Sequence, residues 1–496
     1  MIAGLIKSGY YFWPSEFGVR VFTILLTTLA IVILEKLVQP CRKTLFYLVI
    51  LSLLPLHIYG FIAVPDAPLL FFTALFFYTY RRYTINDNTK NVIFLAFAIA
   101  GLLYSKYHGL LIIVFTLLSN LRLLRKRSFY LILLSTILFY LPHIIWQIQN
   151  DYPSFQYHIQ NKSQKPYDSM DSINYILGQI LIFGPLISWF LFYSLFKSRK
   201  LNDWERSLQF TGIGFLLFFL GSSFNSRVEP NWTVAILIPL VVLGWKYMFD
   251  NPKYQSIILK LCIPSIMVVF TARLLLVFNL IPSITTHEFF SWKERSAMIK
   301  NKTDGLPVAF KSTYQAASKY SFYAGVPTVS LNSWNYRRNQ FDLWGILDSL
   351  KHQKVAIIHD WGKDENGVEK LDFEVVDDFV RYNRLIIEAS RESYKFPADS
   401  MAYIELKVIN TSRQPTNFQL DYQHPFVGYK IEHFGRVYSH NEKGYSLDGD
   451  TLNMILHVKL PIKTPKESGI YFIQFGINSD HSETGHNSRR YMLEVE

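Results

Sequence analysis

GFIAVPDAPLLFF, residues 60–72, sets a single carboxylate, Asp66, between two prolines in otherwise apolar sequence. At the centre of a bilayer a carboxylate costs about 3 kcal/mol, so Asp66 belongs at an interface, in a cavity or in a functional site. An Asp shortly before a Pro also suits the first turn of a helix, and capping is the plainer reading of the same residue.

Outward from this stretch the chain reads as a series of apolar runs. They lie at roughly 17–37, 44–60, 67–80, 91–104, 109–122, 129–147, 175–196, 207–222, 232–247 and 256–281. A perpendicular span needs about 20 apolar residues, so several of these must include some polar flank. Half of the 496 residues are hydrophobic, with 40 Phe and 31 Tyr, and the apolar excess ends near residue 281. The expected fold is therefore a polytopic α-helical membrane domain of about ten spans (1–281), followed by a soluble exterior region. Cys41 and Cys262, the two cysteines, offer neither a disulfide framework nor a metal-binding spacing.

The net charge of +12 does not point to nucleic acid, because the cations sit in alternate short loops. One set holds Lys36, Arg42 and Lys43, then Arg81, Arg82 and Lys90, then Arg122, Arg125, Lys126 and Arg127. It continues with Lys197, Arg199, Lys200 and Arg206 and ends with Lys246, Lys253 and Lys260. The opposite loops hold only Lys106, Lys162, Lys165 and Arg227. The positive-inside rule makes the first set cytoplasmic and puts Asp66 and the C-terminal region outside.

Polar residues gather on that outer face. They are His57 and Asp66, the turn YSKYHG with Lys106, Tyr107 and His108, the loop 150–168, and FNSRVEPNW with Arg227, Glu229, Asn231 and Trp232. Lys106 and Arg227 adjoin spans, where basic groups can pair with the phosphate of a membrane-anchored lipid. Plainer readings stand beside this one. Lys106 can snorkel, Arg227 can pair with Glu229, the aromatic residues can form an interfacial belt, and His57 and His143 suit satisfied helix ends.

Four stretches in order carry a family resemblance: PDAPLLFFTALFFYTYRR (65–82), GLLYSKYHGLLII (101–113), LPHIIWQIQNDYPSFQYH (141–158) and RVEPNWTVAILIPL (227–240). Over roughly residues 1–280 the chain resembles the bacterial ArnT-like and protein-mannosyltransferase-like glycosyltransferases of the GT-C fold. The resemblance implies an enzyme of the bacterial cytoplasmic membrane that moves a sugar from a polyprenyl-phosphate carrier to a lipid, glycan or protein acceptor on the outer face. It implies a catalytic-site role for Asp66 and carrier-phosphate contacts for Lys106 and Arg227. Tyr107, His108, Glu229, Asn231 and Trp232 become further substrate-binding candidates. No cofactor is certain, and a divalent metal ion is the one option. Family members begin with a further span and an acidic loop, whereas MIAGLIKSGYYFWPSEFGVRVF resembles their sequence just after that loop. This chain is therefore expected to be truncated, or to have its start assigned at an internal methionine of the family pattern. An inactive carrier-binding or scaffolding relative is one alternative, and a lipid or sugar transporter is another.

After residue 281, strand-like and helix-like runs alternate as far as KVAIIHD (354–360), which predicts an α/β part at 282–385. RLIIEAS, MAYIELKVI, GYKIEHFGRVY, TLNMILHVKLPI, GIYFIQFGI and RYMLEV then predict a β-sandwich at 386–496. SLNSWNYRRNQFDLW (330–344) suits sugar stacking, cover for a membrane cavity, or a packed connection.

Overall fold

The computed structural model describes residues 1–150, 152, 167–280, 290–334, 336, 339–363, 369–412, 415–418, 424–433, 436–440, 444–479 and 485–496. The chain forms two compact units that divide after Leu280. Lys162 and Lys165, with most of the loop they occupy, lie outside the described residues.

The first unit is helical. Its elements are α1 (Ile2–Phe12), α2 (Glu16–Val38), α3 (Lys43–Leu51), α4 (Leu54–Tyr59), α5 (Asp66–Ile85), α6 (Thr89–Ser105), α7 (Gly109–Ser119) and α8 (Arg127–Gln149). They continue as α9 (Ser169–Ile182), α10 (Ser188–Lys197), α11 (Asp203–Ser223), α12 (Leu237–Asp250) and α13 (Lys253–Val277), with a 3₁₀ helix at Pro230–Ile236. Ser15 caps α2 by accepting from Gly18 N, and Glu16 in the first turn favours the helix dipole.

Helix α5 is the centre of the unit. Ala67, Leu69, Leu70, Ala74 and Phe77 are wholly buried, and α6 packs along it with Gly101 against the Phe72 ring. The 3₁₀ helix and α12 are similarly enclosed, whereas α8 and α13 turn most of their apolar surface outward. Side chains apolar all round suit a core position, and outward-facing Leu and Phe suit lipid contact.

Among the described residues, four segments are long and apolar enough to cross a membrane by themselves: Glu16–Val38, Arg127–Gln149, Pro230–Asp250 and Lys253–Val277. The expectation of about ten such spans is not reproduced. The 175–196 run divides between α9 and α10, where Gly184 takes φ 97° beside Pro185, a left-handed conformation that favours glycine. The 44–60 run divides between α3 and α4, where Pro55 opens the second piece.

The second unit is β-rich. After α14 (Trp292–Lys302), strands β1 (Val308–Lys311), β2 (Thr328–Leu331), β3 (Val355–Lys363) and β4 (Glu369–Val376) form a sheet of order β2-β1-β3-β4. β1 is parallel to β2 and β3, with helix α15 (Tyr314–Ala324) crossing between β1 and β2. The remaining chain includes β5 (Leu385–Ala389), β6 (Ser393–Phe396), β8 (Thr416–Asn417), β10 (Arg436–His440), β11 (Tyr445–Ser446), β12 (Thr451–Leu452) and β15 (Arg490–Val495), and its longest strands make facing sheets. β7 (Met401–Asn410) pairs β13 (Ile455–Lys463) in one, and β9 (Phe426–His433) pairs β14 (Gly469–Asn478) in the other. Alternation along β7 sends Ala402, Ile404, Leu406 and Val408 into a core shared with Tyr429 and Ile431 of β9. The opposite face of β9 carries Lys430 and Glu432, both buried.

Candidate functional site

Helices α5 and α6 run antiparallel, so the start of α5 and the end of α6 lie together. Asp66 stands in the first turn of α5 and is 3 % exposed. Lys106 follows the last residue of α6 with extended backbone, and its Nζ donates to Asp66 Oδ1 over 2.9 Å. Asn231, on the 3₁₀ helix, donates through Nδ2 to Asp66 Oδ2 over 3.3 Å. Both carboxylate oxygens are thus engaged by side chains from two other elements. The capping reading of Asp66 gives way to this pairing, although a negative charge at a helix start is still favourable.

The opposite end of the bundle gathers the basic set. Arg81, near the end of α5, donates to the Leu37 carbonyl at the end of α2 and lies 4.9 Å over the Trp204 ring at the start of α11. Asp66 and Arg81 therefore mark opposite ends of α5, as the charge alternation predicts.

Other candidates flank the pair. His108 precedes α7 and makes ring contacts with Phe219 (5.1 Å) and Trp232 (5.6 Å). Tyr107 points to a second group: its hydroxyl lies 3.2 Å from His143 Nε2 and accepts from Gln147 Nε2 over 3.1 Å. Arg227 pairs with Glu229 over 3.1 Å, and their side chains are 75 % and 48 % exposed. That is the plainer reading weighed for them. Among the described residues no ion pair joins Arg227 to Asp66. His57 Nε2 bonds the Leu51 carbonyl at 2.7 Å, a satisfied helix-end histidine.

Gln147, Arg273 and Gln179 were not singled out from the sequence, and His143 was read only as a satisfied helix end. His143 and Gln147 share a face of α8 with Tyr107 as common partner, and their four-residue spacing was the available signal. Arg273, late in α13, sits 3.8 Å over the Phe61 ring, in the stretch that leads to Asp66. A cation deep inside an apolar run was its signal. Gln179, buried on α9, contacts Thr233 of the 3₁₀ helix, and nothing in the sequence distinguishes it from any other helical amide.

The donor set fits a phosphate better than a metal. Lys106 offers up to three N–H donors, one of them directed at Asp66. A divalent ion would meet one carboxylate already salt-bridged to an ammonium and bonded by an amide. Among the described residues no three His, Cys, Asp or Glu side chains gather as a metal-holding group.

Residues 9–146, which include Asp66 and Lys106, match the family model described as dolichyl-phosphate-mannose-protein mannosyltransferase. No curated protein matches the chain. Two solved structures of ArnT from Cupriavidus metallidurans, one apo and one bound to undecaprenyl phosphate, are similar in fold. Each gives a TM-score of 0.52 at 13 % identity and covers 72 % of this chain, with 81 % of the first and 82 % of the second covered in turn. A helical membrane-like unit followed by a β-rich C-terminal region is thus the fold this chain shares with the ArnT structures, and residues 9–146 are similar to the mannosyltransferase family model.

Proposed function

We propose that this chain is a membrane glycosyltransferase that takes a sugar from a polyprenyl-phosphate carrier and passes it to a lipid, glycan or protein acceptor at the outer face of the bacterial cytoplasmic membrane. The observation that carries the reading is the Asp66–Lys106 pair, set at the non-basic end of the helical unit, inside the segment that matches the family model. There a carrier keeps its tail in lipid while its phosphate meets Lys106. The acceptor hydroxyl gives its proton to a base, its oxygen attacks the anomeric carbon, and the polyprenyl phosphate leaves with the electron pair. Lys106 holds the charge that develops on the leaving phosphate.

Asp66 acts through Lys106 in this reading. With one oxygen on the ammonium and the other on Asn231, it orients Lys106 and is a positioning residue. The exposed Arg227 is placed to attract the anionic carrier at longer range. Carrier binding without transfer is the second reading, favoured by the full engagement of Asp66.

The test uses full-length protein in lipid nanodiscs. Wild type should bind undecaprenyl phosphate, and Lys106→Met should lose at least about tenfold in affinity, the scale of one charge-assisted bond. Equal affinity in the two proteins would remove Lys106 from the site. Sugar transfer by wild-type membranes decides between the enzyme and the carrier-binding protein.

A further inference from the structure

Asn231 stands on a 3₁₀ helix, whose hydrogen-bond geometry is poor and which seldom runs beyond three or four residues without support. Pro230–Ile236 spans seven residues and receives that support from α9. Thr233 is wholly buried, Gln179 is 4 % exposed, and their side chains bond to each other. The Thr233 hydroxyl also lies 3.1 Å from the Pro230 carbonyl oxygen.

One hydroxyl hydrogen thus faces two acceptors. With Gln179 Oε1 toward Thr233, Gln179 Nε2 is a buried donor with no partner among the described residues. Turning the amide over resolves both points. Nε2 then donates to Thr233 Oγ, and the hydroxyl donates to the Pro230 carbonyl. An under-used carbonyl oxygen is left in place of an orphan donor, which is the less costly of the two. The chain of bonds ends on the peptide group that leads into Asn231.

The approach of α9 to this turn is built in. A Cβ at Gly178 would lie 2.9 Å from Pro230 Cγ, so glycine lets the two backbones close. Helix α9 is itself fixed to α11, because Tyr175 donates to the Leu216 carbonyl over 2.9 Å and Ser172 pairs with Ser223 at 2.9 Å.

We propose that Gln179 is a positioning residue for the carrier-phosphate site. It sets Asn231 through Thr233 and the Pro230 carbonyl, and Asn231 in turn holds Asp66 in the orientation that presents Lys106. This rests on the reading of Lys106 as the phosphate contact.

The probe is undecaprenyl phosphate, titrated against the full chain in nanodiscs. Gln179→Leu and Thr233→Val should each weaken binding by about tenfold, the loss expected when one hydrogen bond beneath a charged group is removed. Thr233→Ser, which keeps the hydroxyl, should restore wild-type affinity. Thr233→Val added to Asn231→Leu should cost nothing further, because both act on one path. Wild-type affinity in Thr233→Val, equal losses in Thr233→Ser and Thr233→Val, or losses that multiply in the double variant would overturn the assignment. Should the wild type bind no undecaprenyl phosphate, the carrier reading fails. Hydrogen exchange then decides the relay: protection of the Trp232–Val234 amides lost in Gln179→Leu supports it, and protection retained sinks it.

Discussion

Asp66 and Lys106 form an ion pair whose side chains are 4 % and 21 % exposed, and burial makes the two halves unequal to remove. Lys106→Ala leaves a buried carboxylate with only Asn231, and breaking such a pair costs about 3–5 kcal/mol. The double substitution Asp66→Asn, Lys106→Met removes both charges together and should recover most of that stability without recovering carrier binding. Thermal unfolding of the purified chain beside a binding titration separates the two effects. Arg227→Ala should behave differently. Its pair with Glu229 is exposed, so its removal changes stability by less than about 1 kcal/mol, while carrier binding weakens and loses part of its salt dependence. A stability loss as large as that of Lys106→Ala would contradict the surface role. Asp66 and Lys106 were legible in the sequence because a charge beside apolar runs has few places to go. Gln179 was not, because an amide on a helix looks the same whether it faces solvent or a buried threonine. Arg273 was passed over deep inside the 256–281 run, where only Lys260 was read as part of the basic set.

The apolar runs located the elements well, and their breaks were the harder part. Gly184–Pro185 and Pro55 were visible as punctuation. Whether such a pair bends a span or splits it depends on what packs around the break, which composition does not carry. The α1–α2 hairpin shows the same limit. A Cβ at Gly18 would lie 1.8 Å from the Trp13 carbonyl oxygen and 2.7 Å from that of Gly9, both of them backbone atoms unable to step aside. Gly18→Ala should therefore separate α1 from α2 at a cost on the scale of core overpacking, about 1–3 kcal/mol or more. Limited proteolysis in membranes reads this directly, with new cleavage between Phe12 and Ser15 in the variant and none in wild type. Resistance in both would mean that the hairpin adjusts elsewhere.

Across the whole molecule, the helical unit draws its order from apolar burial and from a few buried polar bonds at one end, whereas the β-rich unit keeps a buried charge cluster. Lys430 is 1 % exposed. Its ammonium donates to Glu432 Oε1 at 2.7 Å and to the Trp334 carbonyl at 3.0 Å, and Arg490 holds the other Glu432 oxygen at 3.0 Å. Desolvation pushes the Lys430 ammonium below its ordinary 10.5, with Glu432 pulling the other way and Arg490 adding to the fall. Glu432→Gln withdraws the opposing pull and should cost about 3–5 kcal/mol at neutral pH. A base whose folded pKa is depressed contributes its stability fully above 10.5 and loses it as pH falls through the folded value. The variant should therefore regain stability as pH rises from 7 toward 10.5. Hydrogen exchange of β9 amides in the full chain, corrected for the intrinsic rate at each pH, measures this. A loss that stays constant across that range would show that Lys430 remains protonated.

The alternating strands of this unit were readable from sequence, but nothing in GYKIEHFGRVY distinguishes Lys430 from a solvent-facing lysine of an amphipathic strand. Its partner lies 96 positions earlier, in the aromatic stretch 330–344. The bond to Trp334 binds the inheritance of two sequence segments together. A lineage that replaces the stretch around Trp334 leaves the buried Lys430 ammonium one acceptor short, and one that grafts a foreign sandwich behind it leaves the Trp334 carbonyl without its lysine. The two segments should therefore travel as one cassette when outer regions are exchanged between relatives.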